Sequence, residues 1–220
     1  MMSLLLIVIF FLCAFMQGQD CSGGDMLQML RAGQQLCVDS AFHENMEELK
    51  YHYKYPHPGV TTDNVIFGFD GKTVKVLLIE RGGEPYKGCW AFPGGFLEMD
   101  ESAEEGARRE LMEETGLTTG VVRQFHTFSA PDRDPRERVL TIAYYSLVRV
   151  SEVKGMDDAR QAKWFPLTEV PELAFDHEEM LRIAREEVSK EIRLQTEVWK
   201  ELTKGFSKEE VQKIEKELRD

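Results

Sequence analysis

Residues 94–117 read GGFLEMDESAEEGARRELMEETGL, and no other stretch narrows the folding options of this chain as far. Seven glutamates and one aspartate fall within 24 positions, interrupted by glycines and bordered by apolar residues. Like charges three or four apart on a helix repel by about a few tenths of a kcal/mol per pair, so such crowding calls for a compensating charge. Ser102 followed by Glu105 is a capping-box pattern that starts a helix at Ala103, and Gly116 supplies the C′ stop. At about 100° per residue, Glu110, Glu113 and Glu114 share one arc of about 100°. Gly106 falls in the same arc one turn earlier, where a missing side chain lets another group approach the backbone. Ala103, Ala107 and Leu111 form an apolar edge suited to a sheet, while Glu104, Glu105, Arg108 and Met112 face outward. A helix that merely carries solvated charge would set its carboxylates opposite that edge, with Lys partners at i+4. Here they adjoin the edge and no Lys is present. Hard oxygen donors clustered without cations among them suit Mg²⁺, with Mn²⁺ as the alternative.

The flanking sequence is β-like. TTDNVIFGF and TVKVLLIER are rich in β-branched residues and separated by Asp70-Gly71, a hairpin turn signal. RGGEPYKG reads as a polar loop and CWAFP as a short apolar stretch. After the acidic segment come a strand at 121–128, a loop at 129–138 and a long strand at 139–150. A further loop at 151–162 and a last strand, AKWFPL (162–167), follow. LTEVPEL reads as a short helical turn, 175–192 as an amphipathic helix, and SKEEVQKIEKELRD as a final helix capped by Ser207 and Glu210. Strands, helix, strands, helix imply an α/β fold: a mixed sheet with helices on its faces and no regular βαβ repeat.

The spacing Gly95-x5-Glu101-x7-Arg109-Glu110-Leu111-x-Glu113-Glu114-x-Gly116-Leu117 resembles the Nudix box without a departure. The resemblance implies an α/β/α sandwich that hydrolyses a nucleoside diphosphate linked to another moiety. It implies that Glu110, Glu113 and Glu114, with the carbonyl of Gly94, hold the metal, and that Glu101 and Arg109 pair to keep loop and helix in register. Bound metal would screen the diphosphate and lower the pKa of the attacking water. For the general base the resemblance offers a box glutamate or an acidic residue in the loop before the last strand, where Glu152, Asp157 and Asp158 lie. SAPDRDPRER followed by VLTIAYY, and Pro131 past the box, are similar to members that cleave ADP-ribose. Arg133, Arg136 and Arg138 then contact phosphate or ribose, or else pair with Asp132, Asp134 and Glu137 as a surface network. Phe128, Tyr144 and Trp164 fit the core better than base stacking, and His126 and His177 default to structural roles.

A net charge of −12 argues against a general nucleic-acid binder, so the expected partner is a small nucleotide. An oxidised dNTP is the alternative substrate. A Nudix-like ADP-ribose sensor is the non-enzymatic alternative, suggested by the Pro-Arg-Asp-Pro loop and the Ala174–His177 stretch. Against a DNA-reading module, residues 176–220 carry ten Lys/Arg and thirteen Asp/Glu, a net of −3. Three segments are expected: an apolar run plus linker at 1–45, the hydrolase domain at 46–192 and a helical extension at 193–220, packed or forming a homodimer contact. The run at 3–16 fits a weak secretion signal, a short anchor with weak membrane association, or a misassigned start ahead of Met26 or Met46. The first two place the protein outside the cytoplasm or at a membrane, the third in the cytoplasm. Cys13, Cys21, Cys37 and Cys89 form no CxxC pair, which leaves neither a zinc site nor a disulfide framework.

Overall fold

Alternation along one long strand sets the two faces of the molecule. The computed structural model describes residues 53–157 and 159–219, and the elements below all lie within His57–Asp220. In β1 (Gly59–Phe69), Val65, Phe67 and Phe69 turn to one side of the sheet and Ile66 to the other, the period of a strand buried on both faces. β2 (Val74–Arg81) returns antiparallel, after a turn in which Asp70 Oδ1 accepts the N–H groups of Lys72 and Thr73, both at 2.8 Å. Two short strands, β3 (Trp90–Ala91) and β4 (Gly94–Phe96), pair with β2 and with the start of β1. β5 (Arg123–Phe128) and β6 (Val139–Arg149) are antiparallel to each other, and β6 runs parallel to β1 over its full length. β7 (Ala159–Pro166) pairs antiparallel with β2. Among the described residues this is one seven-stranded mixed sheet, ordered β3-β2-β1-β6-β5 with β4 and β7 off that path.

Helices cover both faces, completing the sandwich. On one side α1 (Ala103–Thr115) sets Leu111 against Ile66 and Leu77, with half-buried Trp164 and Val148 around them. On the other lie α2 (His177–Leu194), α3 (Glu197–Leu202) and α4 (Lys208–Arg219). Met180, Ala184, Val188 and Ile192 recur every fourth residue of α2, a stripe buried on Val65, Phe67 and Leu78 of the sheet. Trp199, Leu202, Ile214 and Leu218 join that same core, each burial worth roughly 1.5–3 kcal/mol. Through these four residues the described part of the C-terminal extension, 193–219, packs on the domain. Ser207 and Glu210 cap α4 reciprocally, N–H to side-chain oxygen, at 2.7 and 3.2 Å.

Three local expectations change. β7 begins at Ala159, not 162, because its first residues pair with Glu80 and Arg81 across a bulge. LTEVPEL makes one turn, Glu169 N–H to Pro166 O, and then runs extended to a bridge between Leu173 and Trp90. Pro171 accounts for this, since it disfavours helical backbone at Val170. α3 had no separate signal in the sequence. The apolar run at 3–16, Cys13, Cys21, Cys37, Met26, Met46 and Asp158 lie outside the described residues. Among the described residues no helix is long and apolar enough to cross a membrane. Cys89 is a free, half-buried thiol.

Candidate active site

The acidic segment folds into a loop, a short strand and a helix whose start is fixed by reciprocal capping. Ser102 Oγ accepts the Glu105 N–H at 3.3 Å, and Glu105 Oε2 accepts the Ser102 N–H at 2.8 Å. Gly116, at φ +71°, closes the other end by donating its N–H to Met112 O. The group that approaches Gly106 is the loop itself: a Cβ there would lie 2.4 Å from Leu97 Cδ2 and 2.7 Å from Glu101 Oε1. Glu110 folds back over β4, where a Cβ on Gly95 would sit 2.5 Å from its Oε1.

Arg109 is the hub. Its Nε and Nη2 donate to the two oxygens of Glu101 at 3.0 and 2.7 Å, so the pair that the resemblance implies is present and bidentate, and Nη2 also reaches Phe96 O at 3.1 Å. That pairing holds the Glu101 carboxyl below its ordinary value. Nη1 donates in addition to Glu110 at 2.9 Å and Glu113 at 3.0 Å. The expectation that no cation stands among the box carboxylates is therefore corrected, because one guanidinium serves three of them. Glu114 is turned elsewhere, its Oε2 accepting the Gly94 N–H at 2.8 Å. Among the described residues no three His, Cys, Asp or Glu side chains are already drawn around one point as a metal site. Arg109 and the Gly94 N–H divide the oxygens between them.

Glu114 is nevertheless the strained member. It is 5% exposed, and burial, with Glu110 and Asp63 nearby, pushes its carboxyl up to about 8. Burial raises Glu110 as well, against the pull of Arg109. A buried carboxylate with like-charged neighbours and one backbone donor is underneutralised, and hard oxygen donors of this kind fit a divalent cation.

Glu110, Glu113, Glu114 and Gly94 line a cavity of about 440 Å³, a volume suited to a small ligand. Its floor was not anticipated. Asp63 on β1 accepts the Thr141 hydroxyl at 2.7 Å and faces His177 Nε2 at 3.6 Å. His177 Nδ1 accepts the Phe92 N–H at 3.0 Å, and complete burial keeps the ring well below its ordinary pKa and neutral. His177 is thus packed at the cavity floor, in the Ala-Phe-Asp-His stretch that opens α2.

The loop arginines separate. Arg133, 9% exposed, lines the cavity but clasps Asp176 with Nε and Nη2 at 2.9 and 2.7 Å, a partner far along the chain. Arg136 lines it too, fixed by Asp134 at 3.0 and 2.7 Å and lying 5.4 Å over the Phe96 ring. Arg138 is outside the lining, donating to Ala130 O and Val139 O. Of the loop acids before β7, Asp157 lines the cavity at φ +51°, whereas Glu152 is exposed and apart from it. Phe128 and Tyr144 are core, and Trp164 is half-buried over α1. His126 lies on β5 beside Phe128.

The chain is similar to known proteins over much of its length. Residues 57–186 match the NUDIX domain family model. An ADP-ribose pyrophosphatase of Methanocaldococcus jannaschii is 44% identical over 135 residues, 61% of this chain and 78% of that protein. An ADPR responsive transcriptional repressor of Acinetobacter baylyi is 34% identical over 59% of this chain and 54% of its own length. The crystal structure of a MutT/nudix family protein from Enterococcus faecalis superposes with a TM-score of 0.68 at 28% identity, covering 91% of this chain and 87% of that one.

Proposed function

Because this chain belongs to the NUDIX domain family and is a Nudix hydrolase, we propose that it cleaves the diphosphate linkage of ADP-ribose or a related nucleotide sugar with a divalent metal, Mg²⁺ or Mn²⁺. The observation that carries the reading is the acidic wall of Glu110, Glu113 and Glu114 in a cavity also lined by Arg133 and Arg136. The relative from Methanocaldococcus jannaschii supports the choice of substrate. In this reading the three glutamates and the carbonyl of Gly94 hold the metal, which when bound screens the diphosphate charge and acidifies water.

The chain's own residues do the rest. The Gly94 N–H keeps Glu114 aimed into the cavity, and the Glu101–Arg109 pair fixes the loop against α1. Release of Arg109 Nη1 from Glu110 and Glu113 frees two carboxylates for ligation. Asp157, which lines the cavity, serves in this reading as the general base that takes the proton from the attacking water. Arg136, held by Asp134, presents its guanidinium to phosphate or ribose.

Incubation with ADP-ribose and Mg²⁺ should yield AMP and ribose 5-phosphate, and chelator or Glu113→Gln should remove turnover by two orders of magnitude or more (about 10²-fold). An oxidised dNTP giving dNMP and pyrophosphate more readily than ADP-ribose is cleaved would replace this substrate assignment. A sensing role, suggested by the Acinetobacter relative, would show as tight and salt-sensitive DNA binding without turnover.

A further inference from the structure

Asn64 is a polar residue in the middle of β1, two positions before Ile66 and so on the strand face that packs against α1. It is completely buried. Its Nδ2 donates to two carbonyls on different elements, Ala107 O of α1 at 2.9 Å and Pro93 O, just before Gly94, at 3.3 Å. Carbonyls only accept, so the NH₂ end of the amide must face them, and its orientation follows from the network. The Asn64 N–H donates to the same Pro93 O at 2.8 Å. Asn64 Oδ1 has no hydrogen-bond partner among the described residues. An amide buried with an unpaired oxygen costs stability relative to an apolar residue of the same shape, so stability does not explain its place in the strand.

The two carbonyls belong to the two segments that carry the acidic wall. Ala107 stands three residues before Glu110 and seven before Glu114, on one side of α1. Pro93 leads into Gly94, which is pressed on β1: a Cβ there would fall against Thr62 O and lie 2.9 Å from Asp63 Cα. His177 holds the other end of this turn through the Phe92 N–H. Arg109 also joins loop and helix, but from the half-exposed side and further along, at Phe96 and Glu101. Asn64 joins them from beneath, out of reach of solvent, close to where the Gly94 N–H meets Glu114.

We propose that Asn64 is a positioning residue for the metal site. Its amide fixes the separation between the Gly94 turn and the Glu110–Glu114 side of α1, and thereby the affinity for the divalent cation, while touching neither metal nor substrate. The inference rests on the reading that the box glutamates and the Gly94 carbonyl hold that cation, and it gives the strand beneath them a part that the box does not contain. Metal–oxygen distances tolerate shifts of only about 0.2 Å, so slack between the two segments is felt as lost affinity.

Mn²⁺ titrated calorimetrically into the full chain without nucleotide tests it. Asn64→Leu, close in volume and without donors, should keep a Tm near that of the wild type. It should bind Mn²⁺ about tenfold or more weakly, the usual effect of losing an outer-sphere hydrogen bond. In excess chelator, amide hydrogen exchange at Phe92 and Gly94 should be faster in this variant, and exchange along the α2 stripe unchanged. Val188→Ala opens a cavity in the core on the other side of the sheet, and should lower Tm while leaving Mn²⁺ affinity as in the wild type. Should Asn64→Leu lose its thermal transition, Asn64→Thr, which keeps one donor, replaces it and should still bind Mn²⁺ more weakly than the wild type. Wild-type affinity in the folded Asn64 variant, or an equal loss in Val188→Ala, overturns the proposal and leaves the metal reading standing. A wild type that binds no Mn²⁺ overturns both.

Discussion

Removing the charge of Glu114 should stabilise the metal-free protein while abolishing its chemistry. Its carboxyl is pushed from an ordinary 4.5 to about 8 in the fold, so folding holds the proton more tightly than the unfolded chain does. The contribution is fully present below pH 4.5 and is lost as pH rises through 8. At about 1.36 kcal/mol per pH unit, the wild type should lose about 3–4 kcal/mol between pH 5 and pH 8 from this group alone. For a domain of this size that corresponds to about 10 °C in Tm. Glu114→Gln keeps an oxygen to accept the Gly94 N–H and has no charge to desolvate. The assay is thermal unfolding of both proteins in chelator from pH 5 to pH 9. Buried His177 lowers stability in both as pH falls below about 6.5, and the difference between the two curves cancels it. The variant should be the more stable at pH 8, the gap should close toward pH 5, and Mg²⁺ should narrow it by stabilising the wild type only. Parallel curves across this range would refute the claim that burial of this carboxylate is the strained element of the site.

Arg109→Met leaves Glu101 and Glu110 without their guanidinium, and urea unfolding should show a loss of about 1–3 kcal/mol, part of it screened by solvent. Asp157→Asn should lower kcat by tenfold or more (about 10²-fold for a general base) with metal affinity by calorimetry unchanged; an unaltered kcat removes Asp157 from the reaction. Trp199→Ala, at a 1% exposed position, should cost about 3–5 kcal/mol in the same unfolding assay, and a change below about 1 kcal/mol would show that α3 is not part of the core.

What could be foreseen from sequence was local. The capping box at Ser102 and Glu105, the stop at Gly116 and the Glu101–Arg109 pair all depend on residues within one turn or one loop, where spacing alone fixes geometry. The floor of the cavity depends on contacts between distant segments. Asp63 meets His177 because β1 and the start of α2 converge, and Arg133 finds Asp176, not the acids of its own loop. Arg81 looks in sequence like a strand ending in a polar residue, and only the fold shows that it lines the cavity. The box pattern pairs Arg109 with Glu101 alone, since helical spacing says little about how far a flexible guanidinium reaches, and in the fold it also meets Glu110 and Glu113. The early start of β7 was masked by Arg160 and Gln161, polar residues that take strand geometry from β2.

The clasp between Arg133 and Asp176 has a mechanical result. Asp176 directly precedes α2, and α2 shares its buried stripe with α3 and α4, so the rim of the cavity and the three C-terminal helices are levers on one pivot. Pressure applied to the far helices arrives at the cavity through this salt-bridged joint and through His177 beside it.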